Sequence, residues 1–390
     1  MNNLQYFVPE LWSKRIQILT KNALVATQIC SYEEQATLSV GDRVHRPYAN
    51  DLVVNDYNKY TDTTAQDLDS NDEYLDVDQS KEISFAIDEV DQKQAKYDLE
   101  NSYVERAAYR LANEIDWKVL KEVSNADVTC DAWDIWGTAW NPISLSTSNC
   151  LNTIMTAWAK LSANGCEMDK EWALVLWPKS AAIIGQTVIG NWFSLADLSL
   201  KNGFAGNFVG YKTYVSNNVK NSNTITLDTV VATDAITIAG VEFTFVSSLS
   251  TTAGTVAKGA NDAAAAANLV AAINGASGAG TTYIEVSKAN RAKLKNAGMV
   301  ASATGAVITL SYNWAKVVST DDTTITVGTA VEHAMLVRPG AIDMVMQKGI
   351  SVRKTPLAKQ KADYFIISTL YGVKTFKEGR ERMVDIKIAA

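Results

Sequence analysis

Residues 75–91 read LDVDQSKEISFAIDEVD, and the choice of fold turns on them. Leu75 and Val77 alternate with Asp76 and Asp78, and Ile83, Phe85 and Ile87 alternate with Ser84, Ala86 and Asp88. Apolar residues at every second position mark half-buried strands. With Leu38, Val40 and Val44 upstream, the pattern predicts a long two-stranded arm over 38–88. An isolated two-stranded ribbon is at best marginally stable in water. Its apolar face therefore calls for a surface from elsewhere, and a neighbouring copy of the same chain is the natural source.

Downstream, the period changes from two to about four. Leu99, Tyr103, Ala107, Leu111, Ile115 and Val119 recur along one side, and Val104 and Ala108 widen the stripe. Asp88 or Asp91 supplies the N-cap. No Pro or Gly interrupts the 33 residues 91–123, so the pattern predicts one helix roughly 50 Å long.

The 390 residues suggest two or three domains, and 47% hydrophobic with 20% charged residues is ordinary for folded domains with real cores. A net charge of −7 argues against a nucleic-acid-binding domain driven by bulk electrostatics, which is normally basic. The charge is unevenly placed. Residues 51–100 hold 15 acidic against 4 basic side chains, whereas 338–390 hold 11 basic against 5 acidic. Solvated faces explain most such clusters. The alternative is that the arm's acids (Asp56, Asp67, Asp69, Asp72, Asp76 and Asp78) meet Arg338, Arg353 and Lys354 of a neighbouring copy.

The rest of the chain reads as mixed α and β. A Trp-rich loop with Trp133, Trp136 and Trp140 leads to a helix over 148–164 and a buried strand over 172–177, stopped by Pro178. Gly203, Gly206 and Gly210 space a tight loop before a strand at 212–216. At Asn221 the composition turns to Thr, Ala, Ser and Gly, with few charges until about residue 330. Strands are predicted there at 224–227, 235–246, 283–286, 306–312 and 323–327. They surround a helix at 262–273 that Asp262 caps and Asn274-Gly275 ends. This is a small α+β module, and inserting it into a surface loop costs little closure entropy. Strands at 334–337, 365–370 and 384–388, with a turn at Tyr371-Gly372, complete the chain.

Catalytic signatures are missing from the sequence. His45 and His333 are the two histidines, and both read as structural. There is no nucleophile elbow, no zinc-protease motif and no phosphate loop. Asp67, Asp69 and Asn71 match the opening of a calcium loop, but Asp72 stands where Gly is required and Asp78 where a bidentate Glu is usual. The three tryptophans lack the basic interleaving of a nucleic-acid platform, so a core or protein contact is the better reading. A carboxylate hydrolase using arm acids is disfavoured, because solvated acids make poor pockets. Cys30, Cys130, Cys150 and Cys166 show no metal-ligand spacing and read as reduced thiols. No enzyme activity, cofactor or metal is expected. The N-terminus lacks a signal-peptide pattern and no run approaches the ~20 apolar residues of a membrane span, so assembly in the cytosol is expected.

Several stretches resemble the major capsid proteins of tailed bacteriophages, the family typified by phage Hong Kong 97. They are Phe7-Val-Pro-Glu-Leu-Trp-Ser13, Gly41-Asp-Arg-Val-His45, Asn55-Asp-Tyr57, Phe85-Ala-Ile-Asp-Glu-Val-Asp91, Gly203 through Tyr211, Val215-Ser-Asn-Asn218 and Tyr371-Gly-Val-Lys374. The resemblance covers about 1–220 and 331–390. It implies an α+β Hong Kong 97-type capsid fold with a small α+β insertion. The implied map is an N-terminal arm (1–37), an E-loop lying over the adjacent subunit (38–88), a P-domain spine helix (89–125) and an A-domain (126–221). The inserted domain (222–330) and the A-domain return with C-terminal P-domain strands (331–390) follow. It also implies that the loop with Gly203, Gly206 and Gly210 meets its equivalents at the centre of hexamers and pentamers of an icosahedral shell around double-stranded DNA. Implied partners are further copies of the chain, portal, scaffolding or decoration proteins, and DNA contacted nonspecifically, with no membrane. No cross-linking motif is matched. The rival expectation is another phage structural protein, a tail-tube subunit or adhesin; a tube subunit would not need the uninterrupted helix.

Overall fold

The structure is a computed structural model that describes residues 24–36, 41–49, 52–56, 59, 62, 65–68, 70–95, 98–166, 171–190, 204–208, 210–313, 318–320, 322–357 and 361–389. The chain divides into two units. One takes Glu33–Ile115 and Met344–Val373, and the other takes residues 24–32, Asp116–Asp343 and 374–389. Leu38 and Val40, and most of the expected N-terminal arm, lie outside the described residues.

In the first unit the alternating stretch behaves in two ways. Strand Ser70–Asp76 pairs antiparallel with Arg43–Ala49, Val44 opposite Leu75, and this pair is the arm. Gln79–Asp88 does not join it. It pairs along its full length with Ala362–Lys374, from Asp88 opposite Ala362 to Gln79 opposite Tyr371. The expected arm is thus shorter than 38–88, because Ile83, Phe85 and Ile87 find an apolar face within their own chain. Phe85 stacks on Phe365 with centroids 5.3 Å apart, and Ile87, Ala107, Leu111, Phe365 and Ile367 form one buried cluster. The Tyr371-Gly372 turn is not formed either. The strand runs straight through both residues.

The long helix is interrupted. Asp88 caps a short helix, Glu89–Gln94, by accepting the N–H of Val90 at 2.8 Å. Ala95 is extended (φ −66, ψ 132), and the main helix, Leu99–Lys121, starts afresh. Asp98 explains the restart, since its carboxylate accepts the Asn101 N–H at 3.1 Å and so caps a second N-terminus. The 23 residues span about 35 Å.

The second unit is built on a ten-stranded sheet. Val331–Val337 pairs along its length with Met383–Ala389 and, on its other edge, with Ala173–Leu176 and the start of Asn221–Leu227. Ala173–Leu176 is buried throughout, as a continuous apolar run predicts. Pro178 does more than stop that strand: it opens a helix, Pro178–Gly190, where its missing N–H is harmless. Helix Cys150–Ala163 packs Ile154, Ala157 and Leu161 against Leu174, Leu336 and Ile386. The glycine stretch forms a strand, Phe204–Phe208, paired with Tyr211–Val215. It is not the loop that spacing suggested. Gly210 (φ +85) makes the turn, and the register shifts between Phe204 and Asn207, next to Gly206.

A second buried cluster draws on residues from Ile225 to Ile325 alone, with Phe243, Phe245, Leu269 and Tyr283 among its members. Here the expected strand 235–246 is a hairpin, Ala235–Ile238 and Val241–Val246, turning at Ala239 and Gly240 with φ of 51° and 71°. Helix Asp262–Asn274 ends on Gly275 at φ +66 as expected, but Asn261 caps it. Asp262 instead accepts the N–H groups of Thr229 and Val230. The strand predicted at 283–286 is absent; Tyr283 makes single bridges to Val256 and Ala279.

Candidate assembly surfaces

The arm is anchored at its root and open at its tip. Leu75 is 0% exposed and Val44 is buried beside it. Gly372, on strand Ala362–Lys374, lies so close that an added Cβ would sit 2.3 Å from the Asp76 carbonyl oxygen and 2.9 Å from Leu75 Cδ2. Gln347 Nε2 donates to the Gly41 carbonyl at 2.7 Å, and the Val77 N–H to that of Asp42 at 2.9 Å. Arg43 bonds Asp76 through Nε (2.5 Å) and Nη2 (3.1 Å), its guanidinium 3.8 Å from the Tyr74 ring centroid. His45 is paired with Asp72. Polar ties between facing side chains thus hold the ribbon together above its apolar root.

Beyond these ties the described aliphatic side chains are exposed. Leu52 and Val53 are exposed, Val54 is 95% exposed and Leu68 84%. The side-chain oxygen of Gln66 accepts the Val53 N–H at 3.0 Å, which joins the two sides of this tip. A ribbon that buries its base and bares four aliphatic side chains has the form of a docking element.

The tryptophan loop is a second apolar surface among the described residues. Trp133, Trp136 and Trp140 are 68%, 97% and 85% exposed, although tryptophan normally buries most of its ring. The loop is held firmly. Asp131 and Asp134 form a reciprocal capping box around the turn Ala132–Ile135. The Ala132 N–H reaches the Asn141 carbonyl at 3.0 Å, and Lys160 bridges Asp134 (2.6 Å) and the Thr129 carbonyl (2.8 Å). Trp136 and Trp140 hold left-handed φ values of 69° and 65°.

The other sequence candidates are scattered. Asp56, Asp67 and Asp78 are exposed on or beside the arm, Asp72 and Asp76 are paired within it, and Asp69 and Gly203 lie outside the described residues. Arg353 is exposed. Lys354 lies between Glu100 (2.9 Å) and Asp363 (3.1 Å), and Arg338 is buried. Among the described residues no group of His, Cys, Asp and Glu could hold a metal, and no helix is long and apolar enough to cross a membrane.

Sequence reasoning missed three buried polar clusters, because each joins residues far apart in the chain. Asp116 accepts the N–H groups of Val25 (2.6 Å) and Ala26 (2.7 Å) and the amide of Asn218 (2.8 Å). Burial pushes its carboxyl up while these donors oppose the shift. Glu332 takes the Trp177 N–H at 2.8 Å and the Ser180 hydroxyl, and burial raises its pKa too. His333 places Nδ1 2.9 Å from Asp385 and Nε2 2.8 Å from Ser222 Oγ. That is the hydrogen-bond order of a Ser-His-Asp relay, here strung across three neighbouring strands with the imidazole buried. It reads as a cross-strand tie.

Comparison with solved structures adds the fold. A chain from Mycobacterium phage Che8 superposes with a TM-score of 0.57 at 16% identity, covering 97% of this chain and 96% of that one. A chain from the capsid of Cyanophage P-SCSP1u gives 0.55 at 11% identity, covering 100% and 95%. One from the asymmetric unit of the bacteriophage PhiM1 mature capsid gives 0.52 at 11% identity, covering 98% and 91%. This chain has a phage capsid fold. No family model matches it, and no curated protein does. At such identities the capsid fold is shared through its architecture, with most side chains replaced.

Proposed function

We propose that this chain is the major capsid protein of a tailed-phage head, of the Hong Kong 97 type, assembling through hexamers and pentamers into an icosahedral shell around double-stranded DNA. The observation that carries the reading is end-to-end likeness to subunits whose structures are capsids, which leaves almost no residue of the chain for another role. The exposed arm tip supports it, because a subunit of a closed shell hands such a segment to a neighbour.

In this reading 38–88 is the E-loop, 89–125 the spine helix region, and 126–221 with part of 331–390 the A-domain. Residues 222–330 are the insertion, and a buried cluster with no member outside 225–327 supports those boundaries. Among the described candidates, the exposed acids Asp56, Asp67 and Asp78 of the arm and the exposed Arg353 are charges that could register neighbouring copies. Portal, scaffolding and decoration proteins are the further partners this role calls for, within a virion assembled in the bacterial cytoplasm. The test is negative-stain microscopy of the purified, concentrated protein. Closed shells or six- and five-fold rings are expected; tubes would favour a tail subunit.

A further inference from the structure

We infer that Lys220 and Lys387, with Lys121 beside them, form a binding site for a phosphate group, free or in a nucleic-acid backbone. Strand register brings the site together. His333 lies opposite Lys387, and Val331 opposite Ser222. Residues directly opposite, and those two apart along a strand, share a face of the sheet. One face therefore carries Ser222, His333, Asp385 and Lys387. The turn Glu122–Asn125, at the end of the main helix, packs against the same strands. Ser124 in that turn accepts the Lys220 ammonium at 2.7 Å and donates to the Lys121 carbonyl at 2.9 Å. Lys220 is tied to the sheet as well, its carbonyl taking the His333 N–H at 2.9 Å.

The charges gathered here do not balance. Burial lowers the Lys220 pKa; Asp385 opposes that shift, while Lys121 and Lys387 add to it. Asp385 is already engaged, both its oxygens standing 2.9 Å from His333 Nδ1. One carboxylate shared with an imidazole cannot offset three ammonium groups. Holding like charges together in partly desolvated surroundings costs free energy, and an anion bound among them removes that cost. Phosphate suits the site, because its oxygens accept from several ammonium donors at once. All three lysines are half-buried rather than sealed, so a ligand can reach them from solvent. Ser124 and His333 are positioning residues: the first fixes Lys220 and the second occupies Asp385. The site stands apart from the capsid reading, and the nucleic-acid source alone rests on it.

The test compares wild type with Lys220→Met, Lys387→Gln and a control, Lys288→Gln, whose lysine is exposed within 222–330. In melting curves at fixed ionic strength, replacing chloride by inorganic phosphate should stabilise wild type and the control. That shift should be lost in Lys220→Met and in Lys387→Gln, and the second variant carries the test if the first does not fold. No phosphate shift in wild type, or equal shifts in every folded variant, would overturn the site. Fluorescence anisotropy with a short duplex DNA reads the source. If backbone phosphates occupy the site, Lys387→Gln should lower the slope of log affinity against log salt by about 1, and the control should not. An unchanged slope beside a lost phosphate shift assigns the site to free phosphate. Shells absent from every sample would remove the capsid reading and leave the phosphate shift standing.

Discussion

Gly372 is the residue on which the arm's anchorage depends. A Cβ there meets a backbone oxygen at 2.3 Å, so the two strands would have to part. We predict that Gly372→Ala destabilises the subunit by about 1–3 kcal/mol, measured by chemical denaturation. Glu332 makes a pH prediction. Burial raises its pKa above the ordinary 4.5, so the folded state holds the proton more tightly than the unfolded one. Its contribution is therefore fully present below about pH 4.5 and is lost as pH rises through the raised value. Stability of the wild type relative to Glu332→Gln should fall over that window. A constant difference between the two denaturation curves would show that Glu332 does not titrate there.

At the scale of the elements, removing 222–330 with a short Gly-Ser bridge should leave a cooperatively folding subunit. The module's buried cluster is its own, and strand Asn221–Leu227 meets Val331–Val337 only at Ser222 and Asn221. Loss of the cooperative transition in circular dichroism would count against these boundaries. Which elements were legible follows from where their partners lie. The strand at 79–88, the helix over Ala107 and Leu111, and the 262–274 helix were readable because period, the Asp88 cap and Gly275 are local signals, although the cap of the last helix is Asn261 and not the expected Asp262. The restart at Asp98 was local too, yet an aspartate inside an apolar period reads equally well as a solvated surface residue. The partner of Gln79–Asp88 was not legible, since Ala362–Lys374 lies far along the chain and pairing leaves no trace in either segment. The same holds for Glu332 with Ser180 and for Asp116 with Asn218. The arm acids and the tryptophan loop were visible as sequence, but only coordinates reveal that Asp72 and Asp76 are already paired and that the indoles are bare.

For the whole molecule, many modest contacts sum to a stable shell through multivalency. If the exposed arm acids register copies against Arg353 and its neighbours, association should be salt-sensitive, since the Debye length falls from about 10 Å at 0.1 M to 3 Å at 1 M. Capsomer formation followed by light scattering should slow as salt rises, and a flat rate would leave the apolar surfaces as the sole drivers. The most direct measurement is the size and shape of the wild-type particle itself, by analytical ultracentrifugation with electron microscopy on the same concentrated sample. The account predicts closed polyhedral shells or capsomer rings in exchange with free subunits. A species that stays monomeric at every concentration, with positions 52–54 equally reactive to solvent probes throughout, would contradict it.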